Sequence, residues 1–288
     1  AARARLAREI AAAHAPRRRG RLRAAAPGPF ALAAAAVCAI AVVGAIAPGG
    51  DEPRRGGAPA VPLASGAPLL LQAADRTRRA DRHVTPPRGD QYVYTRRVIV
   101  ETPIGGGPVE RFVDEQWESV DGSRPSRSSE RGRAWDTNPQ DPSVGLPRRY
   151  EDLAALPTDG AELRAALVDR FGGPGISDAV DRETEYTALT FLLGGGAVMP
   201  PGLRAAMFEA LAQIPGVEVV EDQVDALGRR GIGITSRRYH LSGVTILDPR
   251  TYEYLGMRDT LVRDDGVRVQ QVMARTDRGV VDEIGQRP

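Results

Sequence analysis

The side chains with chemical potential in this sequence are carboxylates and aromatics. Glu183 with Glu185, and Glu221 with Asp222 and Asp225, are acids spaced closely enough to suggest a general acid and base. Paired carboxylates hydrolyse glycosides only when a cleft holds them at a set separation. These acids fall on turns and polar faces, where a solvated surface is the expected state. Asp136-Thr137-Asn138-Pro139-Gln140-Asp141 places oxygen ligands at alternate positions, as a calcium loop does. It lacks the glycine at position six and has Pro147 where the bidentate glutamate belongs, so no calcium site is expected. Nucleotide-binding glycine patterns, H-E-x-x-H, G-x-S-x-G and C-x-x-C are all missing from the sequence. Cys38 is the single cysteine, and His14, His83 and His240 are far apart, which leaves a structural zinc without a ligand set. No catalytic residue, metal ligand or cofactor is expected, and a binding protein is favoured over an enzyme.

The remaining candidates are apolar. Tyr92, Tyr94, Phe112, Trp117, Met207 and Leu211 are the expected lining of an apolar cavity, although residues of these types also make plain core. The elements that must position them follow from the hydrophobic pattern. Pro68 to Ala80 predicts a short helix with Leu69, Leu70, Leu71 and Ala74 on its apolar side. Gln91 to Thr102 alternates as a strand, with Tyr92, Tyr94, Val98 and Val100 on one face and Arg96 as the exception. Gly105-Gly106-Gly107 turns the chain into a return strand, Val109 to Val120, which presents Arg111, Val113, Glu115 and Trp117 together. Asp121-Gly122 leads to a polar strand over 124–133.

The middle of the chain predicts helices. Asp159 and Glu162 make a capping pair ahead of Leu163, Leu167 and Phe171. A second helix starts at Ser177 or Asp178 and stops at Gly194-Gly195-Gly196. The third follows Pro200-Pro201 with the stripe Leu203, Met207, Leu211 and Ile214, and Ala206 and Ala210 beside it. Strands return over 217–223, 230–238, 241–248, 252–263 and 267–275. Strands grouped with strands and helices with helices predict an α+β domain, not a parallel sheet. About eight antiparallel strands would curl into an incomplete β-barrel, with helices over the concave face.

Ahead of this domain the sequence predicts a membrane anchor. No charge occurs from Ala24 to Gly50, and about 20 apolar residues suffice to cross the hydrocarbon. Residues 1–28 carry eight Arg and one Glu, and Arg17, Arg18, Arg19, Arg21 and Arg23 directly precede the apolar run. Arginines on that flank orient the N-terminus toward the cytoplasm. Ala45-Ile46-Ala47 resembles a signal-peptidase site, but Pro48 follows it and the charged region is long, so an uncleaved anchor is expected. The organisation is therefore a cytoplasmic Arg-rich tail (1–28), a transmembrane helix (29–47), a Pro/Gly/Ala linker (48–67) and an extracytoplasmic domain (68–288). Residues 2–14 are compatible with a short helix, and a frayed stub whose arginines meet anionic head groups is expected ahead of a docking segment for a cytoplasmic regulator. The net charge of +2 hides this asymmetry, since the outer domain is acidic, and nucleic acid is not an expected partner.

Gln91-Tyr92-Val93-Tyr94, Trp117 with Asp121-Gly122-Ser123-Arg124-Pro125, and Tyr150 with 153–159 form one group of recognisable phrases. The run 203–216, Leu247-Asp248-Pro249-Arg250-Thr251-Tyr252 and Gly285-Gln286-Arg287-Pro288 complete it. Together they resemble an actinobacterial family of single-pass membrane proteins of unknown function, often encoded beside extracytoplasmic-function sigma factors. More distantly, the element order and the Asp-Pro-Arg-Thr hairpin are similar to the LolA/RseB group, curved incomplete barrels with helices over an apolar cavity. That resemblance implies an extracytoplasmic module that binds an apolar ligand or envelope protein, or senses envelope stress. A surface-anchored hydrolase using paired carboxylates and a structural envelope protein without ligand are the alternatives.

Overall fold

A computed structural model describes residues 66–81, 84–138, 146–171, 178–236, 243–263 and 265–288. The tail, the 29–47 span, Arg17 to Arg23, Cys38 and most of the linker lie outside the described residues. Among the described residues, no helix is long and apolar enough to cross a membrane.

Helix α1 (Gly66–Ala80) opens the described chain and is followed by β1 (Tyr92–Pro103), β2 (Glu110–Ser119), β3 (Ser126–Glu130) and β4 (Arg133–Thr137). Four helices come next: α2 (Tyr150–Ala154), α3 (Gly160–Phe171), α4 (Asp178–Gly194) and α5 (Leu203–Ala212). Strands β5 (Val217–Val224), β6 (Arg230–Ser236), β7 (Val244–Leu247), β8 (Tyr254–Val262) and β9 (Arg268–Val281) complete the fold. One nine-stranded sheet results, in the order β4-β3-β2-β1-β9-β8-β7-β6-β5, with every neighbouring pair antiparallel. Among the described residues, strands β4 and β5 are its two unpaired edges, so the barrel is incomplete.

Local chemistry explains the elements. The Asp159 carboxylate accepts hydrogen bonds from the amides of Ala161 (2.9 Å) and Glu162 (3.0 Å), capping α3. The stripe of α5 is wider than expected. Leu203, Ala205, Ala206, Met207, Phe208, Ala210 and Leu211 are all buried, because α1, α3 and the sheet surround this helix. Two ion pairs tie α1 and the residue that follows it to α5, Arg78–Glu209 at 2.6 Å and Arg204–Asp81 at 2.8 Å. On α1, the buried side is Leu70, Ala73, Ala74 and Thr77, while Leu71 faces solvent.

Three local features differ from the sequence expectation. The polar strand at 124–133 is two strands, turned at Arg131-Gly132 with φ of 51° and 76°. Positive φ at both central residues is the usual geometry of a two-residue hairpin, yet Arg-Gly is a weak signal for it. The short α2 was not expected. Strand β9 runs on to Val281, passing a bulge opposite Arg96/Arg97 that lets it pair with β1 as far as Tyr92.

Candidate functional site

Alternation along the strands divides the sheet into two faces. Asp114, Gln116 and Glu118 of β2 lie on one side, and Val113, Glu115 and Trp117 on the other. The first side carries the helices, and a cavity of about 210 Å³ opens there. Ser128 and Glu130 of β3, Trp135 of β4, Val244 and Thr245 of β7, and Met257 of β8 all reach it. Strands β4 and β7 are six places apart, which in a flat sheet is roughly 29 Å. One cavity of this size touches both only if the sheet curls around it.

Helix α4 forms the roof. Tyr186, Thr187, Thr190 and Phe191 fall on one helical face and turn toward the sheet. The glycine run then folds the chain back onto the sheet. A Cβ at Gly196 would collide with the Thr95 hydroxyl, and one at Gly194 would stand 3.0 Å from the Tyr254 ring. Glycine is required here for close approach, and the turn delivers Ala197 and Met199 to the cavity wall.

The cavity has an apolar side and a charged side. Met199, Met257, Met273, Leu192, Tyr254 and Trp135 supply the apolar wall. On β1 and β2, Arg97 pairs with Asp114 at 2.6 Å and donates to the Gln116 amide oxygen at 3.2 Å. The Arg97 Nε is buried without a hydrogen-bond partner among the described residues, leaving a donor at the wall. Asp114 and Glu130 are cross-strand neighbours. Burial pushes the Asp114 carboxyl up, opposed by Arg97. Burial, and then the Asp114 charge, push Glu130 up as well. Burial likewise raises the Tyr186 hydroxyl, with the buried Asp259 adding to it. This wall suits an apolar body with hydrogen-bonding groups at one side. Among the described residues, no group of three or more His, Cys, Asp or Glu is placed to hold a metal ion.

None of the six expected lining residues borders this cavity, and they occupy three separate places. Tyr92, Tyr94 and Trp117 do share a face, but it is the face away from the helices, where they pack with Val281 and Ile284. The rings of Tyr94 and Trp117 lie 5.2 Å apart. The C-terminal segment straps over them. Trp117 Nε1 donates to the Gln286 carbonyl at 2.7 Å, and Arg287 grips both Glu115 oxygens at 2.8 and 3.0 Å. Tyr94 donates to Glu115 at 2.6 Å, and burial, then this bond, push its hydroxyl up to about 12. Met207 and Leu211 are sealed within the helical core. Phe112 is on the helix-bearing face but is covered by the Arg131 guanidinium, 3.9 Å above its ring. Arg131 in turn pairs with Glu101 and Glu110, which Gln271 and Arg263 also hold.

Period-two spacing grouped the aromatics correctly, but alternation alone does not say which face a curved sheet turns inward. The better signal was methionine. Three of the four methionines, Met199, Met257 and Met273, meet at the cavity, as flexible thioethers do at adaptable apolar surfaces. Among the acids singled out in the sequence, the Glu183 side chain lies outside the described residues and the others do not converge. Glu221 and Asp222 are exposed, while Glu185 and Asp225, contrary to expectation, are buried. Each has an arginine partner, Arg164 for Glu185 and Arg229 for Asp225, and this pairing makes their burial tolerable. Asp136 pairs with Arg127 at 2.7 Å, and the rest of the calcium-like loop from Pro139 lies outside the described residues.

No family model matches the chain, and no curated protein does. Among solved structures, a LolA superfamily protein from Nitrosomonas europaea is similar at 10% identity and a TM-score of 0.21, covering 76% of this chain and 96% of that one. A DUF1329 family protein from Desulfovibrio piger is similar at 9% identity and a TM-score of 0.21, covering 77% and 95%. At this TM-score the likeness is distant and supplies no residue of the site.

Proposed function

We propose that this chain is a membrane-tethered extracytoplasmic binding module that holds an apolar ligand between its curled sheet and α4. The observation that carries this reading is the cavity of about 210 Å³, walled by three methionines, Trp135, Tyr254 and Leu192. Its volume lies just below the range of about 300–1,000 Å³ typical of small-molecule sites, which suits a single acyl chain or a part of a larger apolar group. The tether in this proposal is the charge-free run behind Arg17 to Arg23. The Arg-rich tail then lies inside the cell, within reach of a cytoplasmic regulator such as a sigma factor.

The two tryptophans, Trp117 and Trp135, make the test direct. In a Trp117→Phe variant of the full chain, Trp135 alone reports the cavity. Titration with dodecanol is expected to shift its emission saturably, and apolar compounds are expected in solvent extracts of the purified protein. An unchanged Trp135 emission together with an empty extract would sink the reading. Protease protection in sealed vesicles tests the tether, since the domain should be digested only from the outer side.

A second reading is favoured by one observation, the raised carboxyls of Asp114 and Glu130 side by side at the cavity. Groups perturbed in this way concentrate in active sites. A carboxylate-dependent hydrolase would release reducing ends from cell-wall glycans and would lose that activity in Glu130→Gln. No release by the unaltered chain removes this alternative.

A further inference from the structure

Beside the main cavity is a second, narrower crevice of about 20 Å³. Gly195, Ala197, Met199 and Tyr254 line both, so the two spaces share a wall. Three arginines also line the crevice, Arg204 of α5 and Arg275 and Arg278 of β9. Their partners differ. Arg204 is engaged by Asp81 at 2.8 Å, with Glu253 more distant at 3.9 Å. Arg275 donates to the Tyr254 carbonyl at 2.9 Å and stacks 5.1 Å over the Tyr254 ring. Arg278 donates to the carbonyls of Gly196 and Ala197. Among the described residues, neither Arg275 nor Arg278 has a carboxylate in ion-pair contact. Carbonyls take their hydrogen bonds, while the Glu253 charge acts on both, and that of Asp81 on Arg278, only from beyond ion-pair contact. Burial, and then the nearby Arg278 charge, pull Arg275 down to about 10, so it still carries its proton at neutral pH.

We propose that Arg275 and Arg278, backed by Arg204, are the anion-binding end of the ligand site, and that the ligand is a single-chain amphiphile with a carboxylate or phosphate head. This rests on the apolar-cavity reading above and adds the chemistry of the ligand's polar end. The size of the crevice agrees. A volume of about 20 Å³ admits one or two head-group oxygens, since one water needs about 10–15 Å³. Planar guanidiniums suit such oxygens because they donate in pairs. The shared wall lets the chain of the same molecule pass to the methionines.

The test is calorimetric titration of the full chain with three probes: dodecanoate, dodecanol and inorganic phosphate, with the amphiphiles kept below their aggregation limits. Dodecanoate is expected to bind at least about tenfold more tightly than dodecanol, the gain of one charge-assisted pair. Arg275→Gln and Arg278→Gln are each expected to remove that preference, read as the ratio of dodecanoate to dodecanol affinity within the same variant. Arg278→Gln serves as the second variant should the loss of the Arg275–Tyr254 bond disturb folding. Equal affinities for dodecanoate and dodecanol, or a preference that survives both substitutions, would overturn the inference and leave the apolar cavity standing. Phosphate binding as tightly as dodecanoate would assign the arginines to a free anion and overturn the amphiphile. Binding of neither amphiphile would overturn the cavity reading itself.

Discussion

Deleting Ile284 to Pro288 isolates what the C-terminal strap contributes. The deletion removes the carbonyl of Gln286 that accepts the Trp117 indole hydrogen, a net loss of about 1 kcal/mol. It also removes Ile284, half-buried against the Tyr92–Trp117 cluster, for about another 1 kcal/mol of apolar burial. The Arg287–Glu115 pair is solvent-exposed on its arginine side and is left out of this figure. A loss of about 2 kcal/mol in a domain of this size lowers Tm by about 4–8 °C. A Trp135→Phe variant makes Trp117 the sole emitter, and its emission should move to the red as the strap leaves it. The effect should also depend on pH. Burial raises the Glu115 carboxyl, but the Arg287 guanidinium and the Tyr94 hydroxyl together hold it below its ordinary value of 4.5. A carboxyl lowered in the folded state stabilises above its unfolded value and loses that contribution as pH falls through its folded value. The gap between full-length and truncated chains should therefore narrow below pH 4.5. Thermal melts from pH 3 to 7 with both emission channels read this out. A Tm within 1 °C of the parent with unshifted Trp117 emission would refute the strap as a structural closure.

Three further outcomes follow from contacts already described. Gly196→Ala drives a methyl group into the Thr95 hydroxyl and should cost about 1–3 kcal/mol by urea denaturation, with Thr95→Ala recovering part of the loss. Arg164→Ala leaves the buried Glu185 carboxylate unpaired and should cost about 3 kcal/mol, whereas replacing both residues by leucine should be close to neutral. Glu130 behaves oppositely to Glu115. Its raised carboxyl favours folding below 4.5 and withdraws that contribution as pH rises through its folded value. Glu130→Gln should flatten this decline and add up to about 1 kcal/mol at pH 7, discounted for its partial exposure, in urea titrations from pH 4 to 7.

What the sequence makes legible is local. The Asp159 cap, the α5 stripe and the grouping of Tyr92, Tyr94 and Trp117 depend on residues within one element or one hairpin, and they were readable in advance. The order of helices and strands also sufficed for an open antiparallel sheet with helices against it. What escaped depends on contacts between distant segments. The strap joins Trp117 to Gln286 across 169 residues, and no periodicity in β2 announces a cover arriving from the C-terminus. Glu185 looked solvated because its neutralising partner, Arg164, sits on a different helix. The cavity itself needed the glycine turn, whose role comes from the Thr95 hydroxyl about a hundred positions earlier.

The place of the cavity follows from topology. The chain leaves the sheet at one edge, β4, and re-enters at the other, β5, eight strand spacings or roughly 38 Å away along the sheet. The connecting helices must cross the inner face to make that journey. Once across, α3 and α5 pack with α1 over the β5–β8 half, where Val219, Ile234 and Leu247 meet a continuous apolar core. Over the middle of the sheet, the cover among the described residues is α4, the glycine turn and the segment Leu146 to Arg148. Opposite them, β2 and β3 present Asp114, Glu118 and Glu130 instead of large apolar residues. Charged side chains on that half resist close packing against a helix, because sealing them would strip their water. The space under α4 is thus the seam between a half that packs dry and a half that cannot. The proposed amphiphile suits such a seam, with its chain against the methionines and its anionic head at the arginines of the adjoining crevice.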